Sequence, residues 1–402
     1  MRRICLALMI LCLAAPAAVA AGDPGLARRL QPGLARGYPG LAMITRDRTG
    51  RVRSAAVGFA DLEHGLPLKT TDAFHIGSVN KVFTAVTALQ LVDQGRLSLK
   101  STLVEVLGDL AAPISGADRI TVAQLLDHSS GIYATNNNMD YLTTMLGPMA
   151  DPTRVWTARE LVALAYKGRN PPEGEPGTGH YYSDTNYILL SLIIAKTSGR
   201  PYKEAVRRAI LVPLGMRQTW FYSDVLEGRD KPRGRQAQGY LLATKDIRDI
   251  IAINPMFKAI PGRATAKGEL INTTLAQERT DGAGGLISTA PDMLKFATAV
   301  FHGKLLSPAS QAYLMAAGSN VQDLPLGKHR TWTLQAFHAP FGMLVYKEGD
   351  GPGGTNALMA YRPDRDDIYV GLTNSFGHFD EVDFMIDEVI GPLARSNPLS
   401  KR

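Results

Sequence analysis

The two ends of this chain are the parts that read as β-sheet, and that restricts the fold more than any other feature. Near one end, "LAMITRD" (41–47) and "VRSAAVGFAD" (52–61) are apolar, β-rich runs on either side of Arg48-Thr49-Gly50. Near the other, "NALMAYR" (356–362) and "IYVGLTN" (368–374) flank "PDRDD". Each pair has the pattern of a hairpin. After the second, "DEVDFMIDEVIGPLA" carries Val382, Met385, Ile386 and Val389 at helical spacing, so a helix closes the chain. Hairpins at both ends and helices between them predict one sheet assembled from both termini, with the middle inserted on top of it.

The middle is helical by the same spacing rule. "SVNKVFTAVTALQLVDQG" places apolar residues at 82, 86, 89 and 92 and ends on Gly95. "TVAQLLDHSSGI" predicts a shorter helix capped near Thr121 and ending at Gly131. "YILLSLIIAKTSG" reads as a buried helix stopping at Gly199, and "APDMLKFATAVFHG" as one with Pro291 in its first turn. Two stretches, about 134–158 and 228–280, show no clear period and are expected to be long loops or lids. The mostly helical subdomain spans about 100–230.

The first twenty residues have a separate purpose. Arg2 and Arg3 precede an apolar run that ends in Ala18-Val19-Ala20, the layout of a cleaved secretory signal peptide. That run falls short of the roughly 20 apolar residues a spanning helix needs. Both cysteines, Cys5 and Cys12, lie in it, so residues 21–402 have no thiol, disulfide or cysteine metal ligand and depend on their core. At 45% apolar content, about 380 residues suffice for a large core, in one domain with an inserted subdomain. The net charge of +7, less Arg2 and Arg3, becomes +5. Its densest basic stretch, "GRDKPRGR" (228–235), reads as a solvated loop. Nothing resembles a basic, aromatic-laced face, so nucleic acid is excluded as a partner. The expected location is across the inner membrane, in the periplasm.

Three segments could carry chemistry. Ser78-Val79-Asn80-Lys81 is the only Ser-x-x-Lys in the chain. On a helix, positions i and i+3 share a face, so Lys81 can reach the Ser78 hydroxyl. A serine is a poor nucleophile until a base takes its proton. A lysine is such a base only where burial or nearby positive charge weakens its hold on its own proton. The same four residues are equally an N-cap serine with a surface lysine. "GHYYSDTNYILL" (179–190) sets Tyr182 and Asp184 in a polar stretch before a buried helix, where a tyrosine can relay protons or simply pack a helix start. Asp184 is read as an N-cap or an amide-binding partner.

In "EGDGPGGTNALMAYR", Gly351, Gly353 and Gly354 let backbone approach a ligand, and Pro352 marks an edge strand whose N–H groups suit an oxyanion. The plain alternative is a flexible turn. The histidines form no metal-ligand pattern; His75 and His128 read as structural. Gly282, Gly284 and Gly285 do not follow a strand as a phosphate loop does. No cofactor is expected.

Taken in order, "FHIGSVNKVFTA", "ITVAQLLDHSSGI", "YYSDTNYILLSLIIAKTSG", "DGAGGLISTAPDMLKFA" and the last hairpin resemble the penicillin-recognising serine hydrolases. The branch is that of class C β-lactamases, D-alanyl-D-alanine carboxypeptidases and related esterases, and the likeness runs from about residue 30 to 390. It implies an α+β fold: an antiparallel sheet with helices on both faces, an all-helical subdomain, and the site between them. By the same resemblance Ser78 would be the acylated nucleophile, Lys81 its base and Tyr182 the proton shuttle. The N–H groups of Ser78 and Gly354 would hold the oxyanion.

Two positions depart from the family. Asp184 stands where an asparagine is usual. The Lys-Thr-Gly or His-x-Gly of the opposing strand aligns with Gly351-Pro352-Gly353, which leaves no cation there for a substrate carboxylate. That register disfavours a β-lactamase or carboxypeptidase and favours a general acyl hydrolase acting on an ester or a D-amino-acid peptide, with peptidoglycan fragments among its candidate partners. The alternative from another class is a catalytically silent protein that keeps the fold and binds cell-wall fragments.

Overall fold

The computed structural model describes residues 21–135, 138, 141, 154–166, 172–243, 269–274, 280–316, 333–351, 353–376 and 383–395. Its strands in chain order are β1 (Ala21–Gly22), β2 (Gly40–Arg46), β3 (Val52–Asp61), β4 (Leu66–Pro67), β5 (Ala73–His75), β6 (Trp220–Phe221) and β7 (Tyr240–Ala243). They continue with β8 (Glu269–Asn272), β9 (Leu286–Thr289), β10 (Gln335–Ala339), β11 (Gly342–Gly351), β12 (Thr355–Arg362), β13 (Asp367–Thr373) and β14 (Ser375–Phe376). The large sheet runs β1-β3-β2-β13-β12-β11-β10 and is antiparallel throughout. Its seam is β2 against β13, Ile44 facing Val370 and Ala42 facing Leu372, so the two terminal hairpins do join into one sheet.

Alternation along these strands sends side chains to two cores. On one face Leu41, Met43, Leu344, Tyr346, Leu358 and Ala360 pack with Leu26 and Leu30 of α1 (Pro24–Ala35) and with Phe384, Met385 and Val389 near the C-terminus. On the other, Ala42, Ile44, Val345, Ala357, Met359 and Val370 meet the helical middle. There α2 (Asn80–Asp93) is buried on nearly every side, which is why its apolar pattern is so broad. Phe83 of α2 stacks on Phe296 at 3.6 Å between ring centroids.

Around α2 lie α3 (Leu103–Leu107), α4 (Val122–Leu126), α5 (Ala158–Tyr166), α6 (Asp184–Ser198) and α7 (Ala290–Phe301). Helix α4 has a capping box between Thr121 and Gln124 but stops at Leu126, short of the expected Gly131. Asp127 Oδ1 accepts from the Ser129 N–H at 3.0 Å, and His128 takes φ +59°, so the chain turns away there. The expected closing helix is present: residues 384–390 wind as a π-helix that buries Phe384, Met385, Ile386, Val389 and Ile390 together, and Gly391–Arg395 continue it as an α-helix; Val382 lies outside the described residues. The stretch expected as one long loop over 228–280 contains β7 and β8, paired antiparallel and extended by β14. Four-residue strands are too short to show a period. Residues 244–268 and 275–279, and most of 136–153, lie outside the described residues. The basic 228–235 stretch is exposed, as expected, and is tied down by Arg229 to Asp224, Arg233 to Asp230 and Arg235 to Asp72. Among the described residues no helix is long and apolar enough to cross a membrane.

Candidate active site

Strand β5 delivers the chain into a single 3-10 turn, Gly77–Val79, that runs straight into α2. Ser78 is at the centre of that turn, and β11 lies against it. Gly77 adopts φ +48°, and a Cβ there would stand 2.8 Å from the Asp350 amide nitrogen. A Cβ on Gly349 would come within 2.7 Å of the Ser78 amide nitrogen and 2.6 Å of that of Val79. Only glycine at both positions permits so close an approach of two backbones.

At the second residue of α2, one turn on from Ser78, Lys81 is completely buried. Its Nζ donates to Ser78 Oγ at 2.8 Å and to the Ala283 carbonyl at 3.2 Å, and is ion-paired with Asp184. The glycine-rich 282–285 segment, set aside as a phosphate loop, runs along α2 instead. Asn80 Nδ2 donates to the Gly284 carbonyl and Thr84 Oγ1 to that of Gly282 at 2.6 Å, which fixes Ala283 opposite the lysine.

On the far side of Ser78, the Tyr182 hydroxyl lies 2.7 Å from Oγ. Burial pushes the Tyr182 phenol up, opposed by the charge of Lys81, so the resting group is a neutral phenol that can both donate and accept. Asp184 is the first residue of α6; the N-cap is Ser183, so Asp184 is not the cap that the sequence suggested. Its carboxylate faces the site and Lys81 instead.

The sequence reading missed Lys347. It lies on β11 and is fully buried, with Nζ 5.4 Å from the centre of the Tyr182 ring. Among the described residues that ammonium makes no hydrogen bond or ion pair. Burial, helped by the charge of Lys81, pushes it down to about 8. The signal was available: Lys347-Glu348-Gly349 has the Lys-x-Gly form four residues before the stretch used for the comparison. The expected register is therefore corrected, and a cation does stand on the strand beside Ser78.

The later glycines divide. Gly351 ends β11 on the face shared by Lys347 and Gly349, with open space where a Cβ would be. Gly353 and Gly354 form the turn to β12 and pack on Gly239 and Tyr240 of the β7 segment. The Gly354 N–H donates to the Gly351 carbonyl at 3.0 Å, so it is spent in the turn and not offered to an oxyanion. The expected edge is real but local. Strand β10 pairs with β11 only from Gly342 to Tyr346, which leaves Lys347–Gly351 bonded to β12 alone among the described strands. Pro352 lies outside the described residues.

This geometry can be set beside known proteins. The Beta-lactamase family model matches residues 26–390. Penicillin-binding protein 4* of Bacillus subtilis (strain 168) is 26% identical over 307 residues, which are 76% of this chain and 61% of that protein. The chain spans about three fifths of the length of the first curated relatives it matches. Among solved structures, D-amino acid amidase from Ochrobactrum anthropi SV3 superposes with a TM-score of 0.75 at 24% identity, covering 92% of this chain and 98% of that one. The penicillin binding protein from Bacillus halodurans does so at 0.70 and 20%, covering 93% and 100%. These two likenesses establish the fold, and the family match establishes the kinship. The chain belongs to the Beta-lactamase family.

Proposed function

We propose that this protein is an exported acyl hydrolase that works through an acyl-enzyme on Ser78, on D-amino-acid amides or peptides or on esters carrying an anionic group. The observation that carries the reading is Ser78 Oγ held between Lys81 Nζ at 2.8 Å and Tyr182 OH at 2.7 Å. Tyr182 is kept as a phenol, so Lys81 is the base: it first releases to solvent the proton it carries in the ion pair with Asp184, and as the free amine then takes the Ser78 proton. Oγ then bonds to the substrate carbonyl carbon, and charge moves onto its oxygen. The Ser78 N–H and the Gly349–Asp350 stretch of β11 supply the oxyanion donors, a contribution worth about 2.7–4 kcal/mol per donor in other hydrolases. As the carbon–leaving-group bond breaks, Tyr182 passes its proton to the leaving atom and recovers one from Lys81. Water then attacks the acyl-enzyme by the same relay in reverse and releases the acid.

Lys347 supports an anionic substrate group. A buried cation without a counterion costs free energy that a bound carboxylate would offset. This returns a D-peptide carboxypeptidase and a β-lactamase to the set of readings from which the sequence register had displaced them. The names of the relatives, penicillin-binding proteins and a D-amino acid amidase, agree with acyl groups of this kind. The signal-like residues 1–20 lie outside the described residues, and a periplasmic location is part of the proposal. The test is hydrolysis of D-alanine p-nitroanilide, p-nitrophenyl acetate, a D-alanyl-D-alanine peptide and a penicillin. Turnover of the anionic peptide or the penicillin with loss in Lys347→Met supports the anion reading. Turnover of the neutral ester alone, indifferent to Lys347, would overturn it.

A further inference from the structure

Resting on the reading of Ser78 and Tyr182 above, we propose that His128 is a positioning residue that fixes Tyr182 against Ser78, gripping the tyrosine's two chain neighbours and backing its ring. Three contacts converge. The Tyr181 N–H donates to the His128 carbonyl at 2.8 Å. The Ser183 N–H donates to His128 Nδ1 at 3.2 Å. Between them the imidazole stacks on the Tyr182 ring, centroids 4.5 Å apart and planes 29° from parallel. Residues 181, 182 and 183 are thus each held by one side chain and its own backbone.

The clamp is backed and oriented. Tyr187 lies 5.1 Å from the imidazole, and its hydroxyl donates to the Leu126 carbonyl at 2.9 Å. Asn186 Oδ1 accepts from Ser130 Oγ at 2.6 Å, which turns the Asn186 amide so that Nδ2 faces His128 Nδ1 at 3.2 Å. Two donors therefore point at Nδ1, and the ring must be the neutral tautomer with its proton on Nε2. Burial keeps it neutral, and the charges of Lys347 and Lys81 act in the same direction. An imidazolium would place a proton between Nδ1 and the Ser183 N–H and open the clamp. The backbone reaches this position through φ +59°, which among the described non-glycine residues only Asp366 shares. Such a conformation persists where the surroundings over-determine it.

Two variants separate the contacts. His128→Asn tolerates the left-handed backbone and keeps an acceptor near the Nδ1 position, but loses the plate. His128→Phe keeps the plate and leaves the Ser183 N–H without its acceptor. Fluorophosphonate labelling of the whole protein, followed by intact mass, reads the nucleophile, and p-nitrophenyl acetate hydrolysis reads turnover. The expected result is a roughly hundredfold loss of labelling rate and kcat in His128→Phe with KM changed less than threefold, the size of effect that about 1 Å of misplacement produces. His128→Asn recovers most of that loss. Equal rates in wild type and His128→Phe overturn the inference. An unlabelled wild type instead removes the reading of Ser78 on which it rests.

Nitrogen NMR of histidine-labelled wild type supplies the measurement that needs no variant. A neutral His128 with its proton on Nε2 from pH 5.5 to 8 is expected. The opposite tautomer, or titration inside that range, overturns the clamp.

Discussion

Asp184 and Lys81 form an ion pair inside the site, on the same lysine Nζ that donates to Ser78 Oγ at 2.8 Å. Where related sequences are expected to carry an amide, this chain carries a charge. Among the described residues, the buried charged side chains around Ser78 are thus two cations, Lys81 and Lys347, and one anion, Asp184. A substrate carboxylate entering beside Lys347 meets Asp184 as a like charge.

Replacing Asp184 by Asn removes that repulsion and keeps the shape. Asp184→Asn is expected to lower KM for an anionic acyl substrate by about tenfold, the equivalent of about 1.4 kcal/mol, a modest share of a unit-charge interaction at partly screened separations. Hydrolysis of matched neutral and succinylated p-nitrophenyl esters measures it. An equal change for both esters would show that charge is not the determinant.

Lys347 gives a pH dependence with a definite sign. Its ammonium is pushed down to about 8 from an ordinary value near 10.5, so the folded state releases the proton first as pH rises. KM for an anionic substrate is therefore expected to climb through about pH 8, while KM for a neutral ester stays level. Between about 8 and 10.5 the unfolded chain binds the extra proton, so this group makes unfolding harder as pH increases in that window. Below it the cost of burying the charge is fully present. Lys347→Met should abolish the KM trend and flatten the stability change, read by denaturant titration at pH 7, 8.5 and 10. A KM profile for the anionic substrate that is identical in wild type and Lys347→Met would contradict the assignment.

The contact of β11 with the Ser78 turn tolerates no side chain. Gly349→Ala would drive a Cβ to 2.7 Å from the Ser78 nitrogen, against backbone that cannot rotate away. A cost of about 1–3 kcal/mol in stability is expected from overpacking, with at least a hundredfold loss in acylation rate because the oxyanion donors shift. Gly351→Ala, which meets open space, is the control and should fold as the wild type does. Equal acylation by both variants would dissociate the strand from the chemistry.

The sheet was legible in the sequence because hairpin signals at both ends depend on local alternation, and β2, β3, β12 and β13 appeared where that alternation lies. So did the buried helices α2, α6 and α7, whose apolar runs are long enough to show a period. What stayed hidden was set by contacts distant in sequence. The early end of α4 depends on a turn at His128 that is stabilised by residues 181–186. The register of β11 against Ser78 depends on Gly77 and Gly349 meeting, a fact no single segment contains. Hence the Gly-rich turn after β11 drew the comparison that belonged to Lys347. The carbonyl of Ala283, a partner of Lys81, was invisible for a further reason: a backbone acceptor leaves no mark on residue identity.

Activation of Ser78 as a nucleophile is read by intact mass after exposure to a fluorophosphonate, in wild type, Ser78→Ala and Tyr182→Phe. One adduct on the wild type, none on Ser78→Ala and labelling slowed at least tenfold in Tyr182→Phe is the predicted result. An adduct of equal yield on Ser78→Ala, or no adduct on the wild type, would contradict it.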